Sequence, residues 1–596
     1  MWTKFYFLND PNSQYNLDTT IAFIHRFHPA EQPFAYRHIG QLGAPAEPMF
    51  LSIEHTAGLD IGFHQFDRYW LSSSMVKLYD TYRPYTLAAY QQGSKNEIAA
   101  SLIHAQNIIP EWNAGIELHR YRTDGFYPRQ VSKITNFNAY TSYGSKNGLY
   151  HINAGYLLNS MKVNENGGVE DVEILKDSSI FDKSLVTVQL DSAMNYWKND
   201  NVFLQNSIDF GPSMEIKKND TLTQHMIVSK VRVQHFAEWE RRSFIFYDDA
   251  TDSNFYQNIY IDSLKTRDSL SYDRLSNEIT IGLPLSSKPL IRNFTGKIFF
   301  HHDLYKIHLA LPDQEIQNGI LGGSMIKYIG LDSVAGPKLT LNLKGEYNLL
   351  SYNKGDYNVS AAIAFRISSF GNILLEASQS ENHPALIQQN YLSNHFQWHN
   401  SFSPFKTSSF RGSFAMEPYN MELGGELFRI DNFIYWNSLA LPAQYDGSLM
   451  GYSIFLRKNF SIKSFHLDNE IQYQHYNIDS IVSFPPFFTR HSLYFEDNLF
   501  KGALTSKVGI DVRYIADHYG PAYMPATGQF YIQRLEQLSY YPVADLFISI
   551  KIKGVRAFAM VQNINQDLFA RVNFSAYRYP MPDRAFKLGV EWRFWN

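Results

Sequence analysis

Cysteine is absent from the 596 residues. That excludes a disulfide scaffold and suits transit through an oxidising periplasm, where stray thiols are a hazard. Charge is scarce as well. Charged residues make up 18% of the chain, against roughly 25% in soluble domains. The two signs nearly cancel, leaving a formal net charge of −4, so no polybasic surface for nucleic acid is expected. No run of eighteen apolar residues occurs, which removes helical membrane spans. Met1 is not followed by an apolar secretory segment, so the chain reads as a mature form.

Aromatic residues are abundant: 40 Tyr and 44 Phe bring the aromatic share to 16%. A chain this long normally divides into three or four soluble domains. A single closed barrel also consumes it, because each strand takes about ten residues plus a connection.

Two-residue alternation decides between these. Leu339, Leu341, Leu343, Tyr347 and Leu349 interleave with Thr340, Asn342, Lys344, Glu346 and Asn348. The next segment sets Tyr357, Val359, Ile363 and Phe365 against Asn358, Ser360 and Arg366, and an earlier one sets Trp112, Ile116 and Leu118 against Asn113, Glu117 and His119. Successive strand side chains point to opposite faces, so each segment has an apolar face and a polar face. A soluble antiparallel sandwich also alternates, but its strands run about five or six residues. These run about ten to fourteen, the length a tilted membrane-crossing strand needs.

Connections alternate in length. Lys553-Gly554 and Lys501-Gly502 are tight, whereas 516–543 and 476–488 are long. Bacterial barrels have short periplasmic turns and long outer loops. The pattern weakens around 400–447, and the longest loops are expected at 161–200, 249–277 and 516–543. Counting back to a first strand near Tyr85 gives about 24 candidate strands, and weak segments such as Glu278–Leu283 widen this to about 18–24, an even number. The sequence thus predicts an all-β fold, one large antiparallel transmembrane barrel over 83–596. Residues 1–82 carry Pro11, Pro29, Pro33, Pro45 and Pro48, and proline cannot donate to a sheet ladder. They are expected as an irregular segment in the lumen or at the periplasmic mouth.

The last strand resembles the C-terminal signal read by the barrel assembly machinery, with Lys587, Gly589, Trp592 and Phe594 at its spacing; Trp595 and Asn596 extend past the usual aromatic end. The chain as a whole resembles the putative porin family of Bacteroidota. The similar stretches are Tyr36–Pro45, Tyr79–Thr86, Gln106-Asn107-Ile108, Gly125-Phe126-Tyr127, Glu165-Asn166-Gly167-Gly168, and Phe255–Tyr260 with Thr266 and Asp268. The resemblance implies an outer-membrane barrel of a Gram-negative bacterium, with no assigned substrate and no catalytic residues.

If the apolar stripe meets lipid, the pore lining is Glu117, His119, Lys344, Glu346, Arg366, Asp468, Glu470, Lys507, Asp511, Arg513, Glu591 and Arg593. Their signs are interspersed, which argues against strong cation or anion preference. Trp112, Trp436 and Trp592 are candidates for interfacial girdles. His301, His302 and Asp303 suggest a metal, but adjacent histidines on a strand point to opposite faces. Asp248, Asp249, Asp252 and Asn254 form an acidic loop without the glycine and distant glutamate of a calcium loop. No G-x-S-x-G elbow occurs, and Asp468 with Glu470 read as lining rather than an acid–base pair. No cofactor and no enzyme activity are expected.

The leading functional expectation is a porin-like channel for small polar solutes. The alternative is a non-conducting barrel that docks or helps assemble lipoproteins or other outer-membrane machinery. Coupled, energy-driven import ranks behind both, because the segment before the first strand is short for a plug.

Overall fold

The computed structural model describes residues 3–29, 36–51, 53, 57–176, 182–219, 222–250, 254–284, 293–309, 312–330 and 336–595. Pro33 and Asp252 lie outside the described residues. Twenty-two strands pair in one closed ring, each antiparallel to its neighbours. The last strand, Ala585–Trp595, closes the ring on the first, Tyr85–Gly93, with Trp595 opposite Tyr85 and Lys587 opposite Gly93.

Alternation in the sequence becomes alternation in exposure. Phe586, Leu588, Val590 and Trp592 are 54%, 42%, 46% and 53% exposed, while Lys587 between them is 6% exposed. The strand Tyr357–Ile367 repeats this with Val359, Ile363 and Phe365 on its outer face. A water-soluble protein buries the apolar face and exposes the lysine. On these strands the order is inverted, as a lipid solvent requires.

Strand length varies with position. Val231–Asp248 and Thr266–Leu283 reach 18 residues each. Glu278–Leu283 is therefore the end of one of the longest strands, not a short one, and the loop expected at 249–277 stops where that strand begins, at Thr266. Polar outward positions such as Arg267 and Arg241 masked the pattern there.

The two rims differ. One carries short turns such as 463–464 and 553–554, where Lys463 and Lys553 adopt the left-handed conformation of a tight hairpin. The other carries 165–176, 182–193, 383–404, 516–542 and 563–584, which fold back over the ring. These loops bury their own side chains: Tyr523, Ala526, Ala576 and Tyr579 are all nearly inaccessible. Trp436 belongs to such a loop, in the hairpin Ile434–Trp436/Pro442–Gln444, and its ring lies 5.7 Å from Trp398. That corrects the girdle assignment for Trp436; Trp112 and Trp592 are outward and exposed.

The N-terminal segment occupies the interior. Thr3–Phe7 pairs with Asp10–Asn16 and with Lys77–Thr81 in a three-stranded sheet beside the closing seam. From there the chain touches several separate strands of the wall. Tyr6 bonds Ser142, Gln205 donates to the Leu8 carbonyl, Gln474 donates to the Met49 carbonyl, and Asn136 donates to the Tyr69 carbonyl. Its main hydrophobic anchor is Phe63, Phe66 and Tyr69 against Trp197, Phe244 and Tyr305 of the wall. Where the backbone passes closest to the wall it needs glycine. Gly43 has φ +85°, and a Cβ there would lie 2.7 Å from the Ser132 hydroxyl, which donates to the neighbouring Leu42 carbonyl.

Candidate functional site: the lumen wall and the segment inside it

Charged side chains on the polar faces of adjacent strands meet across the strand pairs, because directly opposed residues share a face. Glu422, Arg457, Glu470 and Arg490 come from four consecutive strands and form a ladder. Arg457 donates to Glu422 at 3.0 Å and to Glu470 at 3.2 Å, and Arg490 donates to Glu470 at 3.1 Å. The Arg457 side chain is 53% exposed although it points inward, so this sector of the lumen holds water. On the opposite wall Arg274 pairs with Glu238 and, at 3.0 Å, with Glu240, and Ser73 of the segment donates to Glu238 at 2.5 Å.

Most residues proposed from the sequence as lining contact the N-terminal segment or one another. Glu117 lies 2.7 Å from His119. Glu346 accepts from the Ala57 amide at 3.0 Å, Asp468 accepts from Tyr494 at 3.2 Å, and Arg513 donates to Asp545 at 2.9 Å. Lys507 pairs with Glu496 at 3.0 Å, and its ammonium sits 4.1 Å above the Phe23 ring. Glu591 bonds Arg556 and Arg593; Arg593 donates to the Asp18 carbonyl, and Arg556 to its carboxylate at 3.2 Å. Lys344 is exposed and Arg366 half-buried.

Of the C-terminal candidates, Lys587 pairs with Glu97 at 2.6 Å across the seam. Gly589 faces the ring of Phe558, and Trp592 and Phe594 stand together outside, ring centres 4.9 Å apart. His301 is 3.0 Å from Asp303 and 3.3 Å from Glu278, while His302 takes the other face. Among the described residues no group of three His, Asp or Glu converges for a metal. Asp248 is engaged by Ser192 and the Ala250 amide.

Two cavities flank the segment. One lies between residues 25–26 with 36–49 and the wall near Arg490, Asp511 and Asp545; the other lies between residues 59–64 and the wall near Glu240, Arg242 and Arg274. In the first, Arg37 donates to the Ser483 carbonyl at 2.6 Å and lies 3.1 Å from His518 Nε2. Burial and the Arg37 charge push the His518 pKa down to about 3. His518 is therefore neutral, with Nδ1 bonded to the Ala516 carbonyl and Nε2 accepting from Arg37. Burial also lowers the pKa of Arg37 and raises that of its partner Glu47, each shift opposed by the other's charge. In the second cavity His64 stands between Asp60 and Asp67, whose charges hold its pKa well above the ordinary value.

Sequence reasoning missed Arg26, Arg37, Arg457, Arg490 and Arg556. Arg457 and Arg490 were accessible to it, because they alternate with outward Leu456 and His491 on the strands flanking the one that carries Asp468 and Glu470. The segment's own arginines carried no periodic signal.

A family model described as "Putative porin" matches residues 1–596. No curated protein matches the chain. Among solved structures, the FrpB iron transporter from Neisseria meningitidis is similar with a TM-score of 0.59 at 9% identity, over 86% of this chain and 82% of that one. The ferric-catecholate import receptor Fiu from E. coli K12 gives 0.55 at 13% identity, over 86% and 82%. The copper transporter OprC gives 0.58 at 10%, over 87% and 82%. At these identities the likeness establishes the fold.

Proposed function

The chain belongs to the "Putative porin" family along its whole length and is an integral outer-membrane barrel of the transporter type, and on that premise we propose that it conducts small polar solutes through the water-holding sector of its lumen. In this reading residues 1–82 are the gate and 83–596 the channel. The observation that carries it is the ladder Glu422–Arg457–Glu470–Arg490, which is charged, inward and wet. Alternating signs at close range lay a transverse field across the path, which suits dipolar solutes over bare ions of either sign. Lys344, Arg366 and Asp468 extend the same lining, and the remaining candidates seat the gate. Barrels of 22 strands in the outer membrane are typically plugged transporters, and a lumen filled on one side by its own N-terminal segment fits that group. In a bilayer the long-loop rim faces outward.

Liposome swelling with neutral and zwitterionic solutes of graded size tests the reading. Permeation that falls with size and weakens on Arg457→Glu supports it; a barrel that admits no solute contradicts it.

A second reading, a non-conducting barrel that docks lipoproteins or other membrane machinery, is favoured by the extent to which the segment and infolded loops fill the interior. Purification with a stoichiometric partner, together with silent bilayers, would select it.

A further inference from the structure

We propose that the cavity between residues 25–26 with 36–49 and the barrel wall binds a small organic anion, a carboxylate on an apolar body. The inference rests on the transport reading and narrows its substrate class.

Four arginines line the cavity: Arg26 and Arg37 from the segment, Arg490 and Arg513 from the strands Phe487–Leu499 and Leu504–Ile515. Only two carboxylates share the lining, Asp511 and Asp545. The acids that hold Arg37 and Arg490, Glu47 at 2.9 Å and Glu470 at 3.1 Å, lie outside it. Arg26 and Arg513 are paired with Asp511 and Asp545 inside the lining, so each guanidinium is held in position by an acid and a ligand carboxylate enters by exchange at one of these pairs. Planar guanidinium is the side chain best matched to a carboxylate.

Apart from His25, His38 and Ser575, the rest of the lining is apolar or aromatic. Met49, Met560, Met581 and Ile515 contribute aliphatic and thioether surface, and Tyr36 and Tyr540 contribute rings. A pocket that combines a few convergent polar groups with an apolar remainder recognises an amphipathic small molecule. Inorganic phosphate would satisfy the arginines and leave the methionines and tyrosines without a partner.

Location gives the site its use. Asp545 and Ile515 sit at the strand ends beside the long-loop rim, and Tyr540, Ser575 and Met581 come from the infolded loops. The cavity is thus built jointly by wall, loops and gate. A bound carboxylate would compete with Asp511 for Arg26, the contact that ties the segment to the wall.

The test is isothermal titration of the full chain in detergent with benzoate, benzamide, benzylammonium and inorganic phosphate. Benzoate is expected to bind at least roughly tenfold more tightly than benzamide, with benzylammonium weakest. Arg490→Gln is expected to weaken benzoate by roughly tenfold. Glu470→Gln is expected to tighten it, because it removes the acid behind Arg490. A folding defect moves both variants the same way, so opposite signs identify the site. Equal binding of benzoate and benzamide, a preference for phosphate, or variants that move together would overturn the proposal. Swelling assays with a neutral sugar separate the two readings. If sugar passes and benzoate does not bind, the anion site falls and transport stands; if benzoate binds and no solute passes, transport falls and the anion site stands.

Discussion

Arg26 grips Asp511 at two points, Nε to Oδ2 at 2.7 Å and Nη2 to Oδ1 at 2.8 Å, across 485 residues of sequence. Ser492 accepts a third bond from the same guanidinium, and His25 adds a contact of 3.0 Å to the same carboxylate. Arg26 belongs to the internal segment and Asp511 to the wall. Their side chains are 15% and 6% exposed, where an ion pair is screened little and costly to break on one side only.

Arg26→Ala should therefore loosen the seat of the segment, by about 3–5 kcal/mol at the contact. Single-channel recording should show more frequent or larger openings. Asp511→Asn should act in the same direction. The double variant should add little to either, since both remove one interaction. Unchanged recordings would mean that this contact does not hold the gate.

Glu165 gives the pH prediction. It follows the strand Tyr150–Asn164 at the long-loop rim and is fully buried, accepting from Asn195 at 2.7 Å. Burial raises its pKa to about 8. A raised carboxyl pKa means that the folded state keeps its proton after the unfolded chain has lost it. Stability from this group is thus complete below the ordinary carboxyl range and is lost as pH rises toward about 8. At roughly 1.4 kcal/mol per unit the loss reaches a few kcal/mol. Glu165→Gln should match the parent in denaturation at pH of about 5 and exceed it at pH of about 9. A parent whose stability is flat across that range would contradict this.

Gly589 gives the packing prediction. A Cβ there would lie 2.4 Å from the Phe558 ring and 2.7 Å from Gln91, at the seam between last and first strands. Gly589→Ala should cost about 1–3 kcal/mol by overpacking, read as a lower temperature for loss of the compact band on unboiled gels. Gly345→Ala is the control, since its Cβ would meet only Val359 at 3.6 Å.

The period-two pattern made the ring, its outward face and the even strand number legible, because lipid on one side forces each residue to choose a face. The expected range of about 18–24 strands contains the 22 of the ring. Glu117, Lys507 and Asp511 were found as polar-face residues. What they touch was not legible: Arg26, Phe23 and Asp18 lie in a stretch without periodicity, and their positions follow from the shape of the lumen. Trp436 was misread because an aromatic residue suits a packed loop as well as an interface.

The most direct test of the account is a spin-label scan of the strand Tyr357–Ile367 in lipid vesicles. The chain has no native cysteine to remove, so single cysteines at 359–365 report one position each. Labels at Val359, Ala361, Ile363 and Phe365 should be relaxed by oxygen dissolved in the bilayer. Those at Ser360, Ala362 and Ala364 should be relaxed by a water-soluble nickel complex instead. Both sets responding alike, or in the opposite sense, would contradict a wall with lipid on one side and a wet lumen on the other.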